Sequence, residues 1–137
     1  MTNSAAPAGF RETKLIDPFE IFVGPVWEIG DGPERRFAFR VEARHANRSG
    51  GLHGGMLMTF ADLTLGAAVW DATDNAACVT LNMQTQFLKA VGEGDLVEVC
   101  PQITRRTRAL VFVRGDFTVA GDVVFTASSV WKLLGRG

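Results

Sequence analysis

The pattern of apolar and polar positions predicts one long helix in the middle of the chain. Between Gly54 and Trp70 the only charged residue is Asp62, and apolar or small side chains occupy every face of a helical wheel. A helix of this kind is expected to be buried on all sides, by a sheet and by a partner subunit. The carboxylate of Asp62 therefore stands in the most apolar segment of the sequence.

The segments on either side of this helix have the patterns of β-strands. Residues 25–29 predict a short strand that ends at the Asp-Gly-Pro turn of residues 31–33. Residues 35–44 alternate, with Phe37, Phe39 and Val41 on one face. Further strands joined by short turns are predicted after the helix, over residues 75–90, 96–105, 109–120 and 123–134. One long helix with such an antiparallel meander is an α+β architecture.

Length, charge and cysteine usage narrow the class of protein. The 137 residues are expected to form one domain, at residues 21–137, after a flexible N-terminal segment of residues 1–20. The net charge of −1 provides no electrostatic footprint for nucleic acid or an anionic membrane. Cys78 and Cys100 lie outside any Cys-x-x-Cys pattern, as in a reducing compartment. With no signal-peptide pattern and no span of transmembrane length, we expect a soluble cytoplasmic protein.

The segment before Asp62 suggests a chemical use for its carboxylate. Burying an unpaired carboxylate is costly, so the group is paired, neutralised or used, and a purely structural bond is the competing interpretation. The Gly-Gly junction at Gly54 and Gly55 would present free backbone N–H groups at the positive end of the helix dipole. Such donors can hold a carbonyl oxygen that becomes negative in a transition state. Donors and acid in one pocket would suit attack on an activated acyl group.

These residues carry a resemblance to a known family. The spacing Asn47-x-x-Gly50-x-x-His53-Gly54-Gly55-x6-Asp62 resembles the signature of hotdog-fold acyl-CoA thioesterases, nearest to the phenylacetate-pathway type and the acyl-CoA thioesterase 13-like subgroup. The stretch VTLNMQTQFLKAVGEGD of residues 79–95 is similar to the strand and turn that follow the helix in that family. The resemblance implies a hotdog fold, in which an antiparallel sheet of about five to six strands wraps one long buried helix.

The resemblance also implies the reaction and the roles of single residues. An acyl-CoA would be hydrolysed to a free acid and CoA without a bound cofactor, and Asp62 would act as general base or as nucleophile. The Asn47 side chain would orient the water or the thioester, and His53 would support the loop or contact the thioester. The Gly54 amide, and with it the Gly55 amide, would polarise the carbonyl. Thr80 stands where some relatives have a serine that positions water. The site would lie between two subunits, in a homodimer or a homotetramer.

Several assignments rest on weaker patterns, and other functions stay open. Lys89 and the cluster Arg105, Arg106 and Arg108 are candidates for contacts with the CoA phosphates, against the alternative of solvated charges at a sheet edge. The spacing of His45, His53 and Asp62 matches no common set of metal ligands, so no metal is expected. The alternative functions are a non-catalytic acyl-CoA binding module and a hotdog hydratase or dehydratase.

Overall fold

The chain folds as one long helix packed on a single antiparallel sheet, as the computed structural model shows for residues 5–136. The α-helices within this range are α1 (Pro18–Val23) and α2 (Gly54–Ala72), and Gly32–Glu34 and Ala43–His45 form single turns of 3-10 helix. Its eight strands are β1 (Arg11–Glu12), β2 (Trp27–Ile29), β3 (Arg36–Arg40), β4 (Cys78–Phe87), β5 (Leu96–Val99), β6 (Gln102–Arg106), β7 (Leu110–Val119) and β8 (Asp122–Leu133).

Capping residues explain where the helices begin and end. The Asp17 side chain accepts a hydrogen bond from the Glu20 amide at 2.8 Å, and Pro18 supplies a preset φ at the first position of α1. At the start of α2 the His53 Nδ1 atom accepts from the Gly55 amide at 2.8 Å. Beyond the end of α2 the backbone turns left-handed at Asp74, with φ of 58°. No pattern in the sequence predicted α1, because six residues are too few to show a helical period.

The sheet has more strands than the five or six predicted from the sequence. The strand order is β1-β2-β3-β5-β7-β8-β4, with β6 paired to β7, and every pairing is antiparallel. The predicted single strand of residues 96–105 is wrong: it divides into β5 and β6 at Cys100 and Pro101. Proline has no amide proton for the ladder, so the ladder is interrupted there. β5 pairs with both β3 and β7, whereas β6 pairs with β7 alone. The N-terminal β1 is the other strand that was not predicted.

One side of α2 forms the core with the inner face of the sheet. The Phe60 ring lies 4.6 Å from the Phe39 ring and 5.8 Å from the Phe117 ring, measured between centroids. These rings are completely buried, as is Leu65 one turn further along the helix. Gly115 lies beneath α2, where an added Cβ would be 3.3 Å from a methyl group of Leu65. The missing side chain allows the helix to approach the sheet closely.

The other side of α2 is exposed in the single chain, although we expected burial on all sides. Met58 is 39% exposed, Trp70 is 44% exposed, and Asp62 between them is also exposed. The neighbouring β4 is an edge strand whose residues are mostly exposed, with Leu81 at 56%. The exposed stripe of α2 and the free edge of β4 therefore form one continuous side of the molecule that the chain does not cover itself.

The N-terminal residues continue the sheet and add a short helix. In β1 Arg11 faces Glu28 and Glu12 faces Trp27. The predicted division of the chain between residues 20 and 21 stays a prediction. None of the helices within residues 5–136 is long and apolar enough to cross a membrane.

Candidate functional site

Asp62 and Thr80 form the centre of the candidate site. The Thr80 hydroxyl donates a hydrogen bond to Oδ1 of Asp62 at 2.7 Å, although the residues are 18 positions apart. Asp62 projects from the exposed stripe of α2, and Thr80 lies on the adjacent edge strand β4. One carboxylate oxygen is thus held by a hydroxyl, in a place that water can reach from outside the chain.

A cavity of about 800 Å³ surrounds this pair, and we call it the Asp62 cavity. It extends along α2 from Asp62 to Asp71, a distance of roughly 14 Å at the helical rise per residue. The segment of residues 13–17 and Glu20 of α1 form the opposite wall. Its apolar lining consists mainly of Leu15, Leu63, Ala67, Trp70 and Trp131. Such a lining suits the hydrocarbon part of a ligand.

Glu20 is a second carboxyl group at Asp62 that the sequence analysis missed. It lines the Asp62 cavity and a second cavity that Asp62 also lines, beside Phe19 and Met58. Burial, the negative charge and hydrogen bond of Asp17, and the negative charge of Asp62 together raise the pKa of Glu20 to about 7. The spacing Asp-Pro-x-Glu over residues 17–20 is typical of a helix start and could have indicated α1. It could not have placed that helix beside Asp62.

The start of α2 offers one free backbone donor. The Gly55 amide is occupied by the His53 ring nitrogen, whereas the Gly54 amide has no acceptor among the residues that the structure describes. The Phe87 ring lies over this position, since a Cβ added to Gly54 would be 3.0 Å from its Cε1 atom. His53 therefore caps the helix and holds the glycine loop. Of the two amides proposed for the thioester carbonyl, Gly54 is the one available in the single chain.

Asn47 shapes the loop that leads to this helix start. Its Oδ1 atom accepts from the amides of Ser49 at 2.9 Å and Gly51 at 3.2 Å. Gly51 in turn pairs with Gly92 in an isolated bridge. The carbonyl oxygen of the Asn47 side chain is thus committed to the loop, and its NH2 group is the part available for another partner.

The structure does not bring the two halves of the predicted site together within one chain. Neither cavity that Asp62 lines contains any of the loop residues Asn47, His53, Gly54 and Gly55. Gly54 and Asp62 are eight positions apart on α2, which corresponds to roughly 12 Å along the helix axis. A donor and a base at that separation cannot act on one thioester carbon.

The predicted cationic residues lie at opposite ends of the sheet. Lys89 follows the end of β4 and forms an ion pair with Asp122 at 2.6 Å. Arg106 ends β6 at the other end of the sheet and donates to the carbonyl oxygen of Ala72, the last residue of α2. Arg105 and Arg108 are exposed near Arg106. These four side chains therefore do not form one phosphate-binding patch on a single chain.

Two residues of the loop before Asn47 anchor the C-terminal end of α1. Arg44 donates to the backbone carbonyl oxygens of Phe22 and Gly24, and to that of Val23 at 3.3 Å. The Nε2 atom of the buried His45 lies 2.9 Å from the same Val23 oxygen. Burial lowers the pKa of His45, so the ring is neutral at pH 7 and its Nε2–H donates to Val23. We call Arg44 and His45 the α1 clamp.

Comparisons with known proteins agree with this architecture. A family model described as Thioesterase superfamily matches residues 49–126. A Pseudomonas aeruginosa protein provisionally named an esterase is 27% identical over 129 residues, 93% of this chain and 96% of that protein. Mouse acyl-coenzyme A thioesterase 13 is 25% identical over 104 residues, 75% of this chain and 74% of the mouse protein.

A solved structure shows the same fold. A variant of the phenylacetic acid degradation protein PaaI from Thermus thermophilus superimposes with a TM-score of 0.78, at 24% sequence identity, over 86% of this chain and all of the other. The predicted hotdog fold is thereby confirmed.

Proposed function

The chain belongs to the thioesterase superfamily, and on that premise we propose that it hydrolyses acyl-CoA thioesters to a free acid and CoA, with Asp62 as the catalytic carboxylate. The observation that carries this proposal is the Thr80–Asp62 hydrogen bond of 2.7 Å at the mouth of an apolar cavity. The hydroxyl fixes one carboxylate oxygen and leaves Oδ2 directed at a substrate. The cavity beside it takes the acyl group.

The carboxylate can act in two ways at this position. As a general base, Oδ2 takes a proton from a water molecule, whose oxygen attacks the thioester carbon. As a nucleophile, Oδ2 attacks that carbon itself, and water then hydrolyses the mixed anhydride. In both cases the bond to sulfur breaks, and the thiolate is a good enough leaving group to need no strong general acid. Thr80 keeps the carboxylate oriented in either case.

The oxyanion donor comes from a second copy of the chain. The free Gly54 amide at the positive end of α2 can stabilise the negative oxygen of the tetrahedral intermediate. Because Gly54 and Asp62 of one chain are too far apart, the Gly54 amide that acts together with Asp62 comes from the other chain of the dimer. The loop held by Asn47 and His53 belongs to that same partner half of the site.

The unpaired side of the molecule supports this homodimer. A ten-residue edge strand with exposed Val79 and Leu81 has unsatisfied backbone groups and an apolar surface, and such an edge pairs with another strand or aggregates. Pairing of two β4 strands would place the two exposed stripes of α2 side by side. It would also bury Met58 and Trp70, which are large apolar side chains in the path of a second helix.

The CoA nucleotide would then be bound by cations from one or both copies. Arg105, Arg106 and Arg108 are the exposed group near the C-terminal end of α2, and Lys89 lies near its N-terminal end. Guanidinium groups suit phosphate oxygens, and the ion pair of Lys89 with Asp122 would have to open to free its ammonium group. A cytoplasmic location, where CoA thioesters are available, completes the proposal.

The first experiment measures thiol release from a panel of acyl-CoAs by the protein and by Asp62→Asn. The substitution keeps the shape and the bond to Thr80 but removes the carboxylate. We expect hydrolysis of at least one member and a loss of 100-fold or more in the variant, about the effect of removing a general base. Hydrolysis that Asp62→Asn leaves unchanged would remove Asp62 from the mechanism. Tight CoA-ester binding without any thiol release would favour the binding module.

The second experiment tests whether two chains build one site. Asp62→Asn and Gly54→Pro, which removes the proposed donor, are each expected to be inactive as homodimers. After unfolding and refolding together, mixed dimers contain one site with an intact Asp62 and an intact Gly54. Recovery of about a quarter of the wild-type activity is therefore expected if the two subunits associate at random. No recovery, with mixed dimers verified by mass spectrometry, would place both groups in the same chain.

A further inference from the structure

Helix α1 forms a wall of the Asp62 cavity, and its C-terminal end is anchored to the rest of the chain. Asp17 caps its first turn, and the α1 clamp of Arg44 and His45 binds the carbonyl oxygens at its last turn. Glu20 lies in the middle of this capped helix, on the side of α1 that faces the cavity. Its carboxyl group therefore lies beside Asp62, on a helix with an anchored C-terminal end.

The charged groups along the Asp62 cavity are mostly acidic. The side chains that carry them are Lys14, Asp17, Glu20, Arg35, Asp62 and Asp71. Arg35 is already bound, to Glu28 at 2.8 Å and to Asp71 at 2.9 Å. Among the described residues of the wall, the exposed Lys14 is then the one cation without an ion pair. The acidic groups that remain are Asp17, Glu20 and Asp62. An acyl chain that enters beside α1 meets a negative wall.

We propose that Glu20 makes the cavity selective for uncharged acyl groups over acyl groups that end in a carboxylate. This inference rests on the thioesterase function proposed above. A terminal carboxylate would lose part of its hydration in an apolar cavity and would approach the like charge of Glu20. A neutral chain of equal length would neither lose the hydration of a charge nor be repelled by Glu20. Glu20 is thus a specificity-determining residue, separate from Asp62, which acts on the reacting carbon of every substrate.

The test compares hexanoyl-CoA with adipoyl-CoA, which have six-carbon acyl chains that end in a methyl group and in a carboxylate. The measured quantity is the ratio of their kcat/KM values. At pH 8, where most of Glu20 is ionised because its pKa is about 7, we expect the protein to prefer hexanoyl-CoA. Under these conditions Glu20→Gln should lower the ratio about tenfold, the order expected for one charge pair in a partly solvated cavity. Glu20→Lys should lower it further, because it reverses the charge. If the substitutions acted only through the shape of the cavity, the ratio would not follow the charge of residue 20 from Glu to Gln to Lys.

Controls separate failure of this inference from failure of the proposed function. Glu34→Gln makes the same change in net charge on an exposed glutamate outside both cavities, and should leave the ratio unchanged. If hexanoyl-CoA is hydrolysed and the ratio is the same in all three Glu20 forms, the inference is wrong and the thioesterase proposal stands. If the protein hydrolyses no acyl-CoA at all, the proposed function is overturned and this inference with it.

The pH dependence of the ratio gives an independent reading of the same group. Because burial and the acidic neighbours raise the pKa of Glu20 to about 7, its charge develops between pH 6 and pH 8. The preference for hexanoyl-CoA should therefore increase over this range in the protein and stay constant in Glu20→Gln. The other charged groups on the wall are those named above, and burial raises the pKa of the Cys78 thiol, which keeps it neutral here. Asp62 acts on the reacting carbon of both substrates, so its effect on the two kcat/KM values is the same and cancels in their ratio.

Discussion

At the scale of single residues, the hydroxyl of Thr80 is the contact that orients Asp62. Thr80→Val keeps the shape of the side chain but removes the donor, so we expect kcat to fall about tenfold with KM little changed, because the effect is on orientation at the reacting carbon. Thr80→Ser keeps the donor and should retain most of the activity. Steady-state kinetics on the best acyl-CoA of the panel measure both. Full activity in Thr80→Val with a loss in Thr80→Ser would show that the methyl group matters and the hydroxyl does not.

Glu20 also gives a prediction for stability, separate from its effect on substrates. Its pKa is raised from 4.5 to about 7, so between these values the folded protein holds a proton that the unfolded chain releases. The stability that depends on this proton is complete below pH 4.5 and is lost as the pH rises through 7. At pH 8 Glu20→Gln should therefore be more stable than the wild type, by about 1 kcal/mol, since solvent screens a partly exposed carboxyl.

Urea unfolding of both proteins at pH 4.5 and pH 8 measures this effect. The gain should appear at pH 8 and be absent at pH 4.5, where the wild-type carboxyl is protonated as well. A gain of the same size at both pH values would have a cause other than charge.

The sequence allowed the central residues of the candidate site to be predicted, but not their arrangement. Asp62 stood out because it is the one charge between Gly54 and Trp70, and Thr80 was found through the resemblance of its strand. Glu20 is 42 positions before Asp62 in the sequence, and no local pattern records that α1 folds back over α2. The separation of Gly54 from Asp62 follows from the helical rise, and could have been noticed from the spacing alone.

At the scale of elements, α2 rests on the sheet where Gly115 has no side chain. A Cβ added there would lie 2.9 Å from a methyl group of Val99, which is buried and cannot move away freely. We expect Gly115→Ala to lower the free energy of unfolding by about 1–3 kcal/mol through overpacking. Urea denaturation measures the loss. Gly92→Ala is the matched control, because its Cβ would be 3.9 Å from the nearest side-chain atom; an equal loss there would exclude overpacking as the cause.

The α1 clamp predicts a second pH effect, opposite in sign to that of Glu20. Burial lowers the pKa of His45 below 6.5, and its Nδ1 atom accepts from the Glu42 amide at 3.0 Å. Protonation would remove that acceptor, so the unfolded state takes up the proton more readily. The stability from neutral His45 is present above pH 6.5 and is lost as the pH falls below it.

His45→Gln should therefore lose stability less steeply between pH 7.5 and pH 5.5 than the wild type does. Thermal unfolding at several pH values in this window measures the slope of stability against pH for each protein. Both proteins should also carry Glu20→Gln, because this substitution removes the opposing contribution of Glu20. Parallel slopes would show that His45 does not titrate in this range.

Helices and strands were predicted where the periodic pattern of apolar residues is long, and were missed where it is short. The apolar run beginning at Gly54 is long enough to reveal α2, and the alternation of residues 35–44 indicated β3. The six residues of α1 and the two of β1 carry no period. The division of residues 96–105 depended on Pro101, whose missing amide proton was overlooked inside an otherwise extended pattern.

At the scale of the whole molecule, dimerisation and activity should be lost together. Leu81 on β4 is 56% exposed, in the surface that we propose as the contact. Leu81→Lys should give a folded monomer with at least 100-fold lower activity, because neither half of the site is then complete. Light scattering gives the mass, and thiol release gives the activity. Val123→Lys, on the interior strand β8, should remain dimeric and active. An active Leu81→Lys monomer would contradict the shared site.

The two edges of the sheet differ in a way that decides how far association can proceed. The edge opposite β4 is β1, which has two residues, both charged, and Arg11 is bound to Glu28 at 3.0 Å. An edge of that length cannot serve as a template for another strand. β6 also has a free side, because it pairs with β7 alone, but its Arg105 and Arg106 oppose the addition of a second copy there. Strand addition is therefore favoured at β4, which two copies that join through it would cover. The proposed dimer would close by its own two-fold symmetry, so the exposed β4 would lead to a finite particle and not to a fibre.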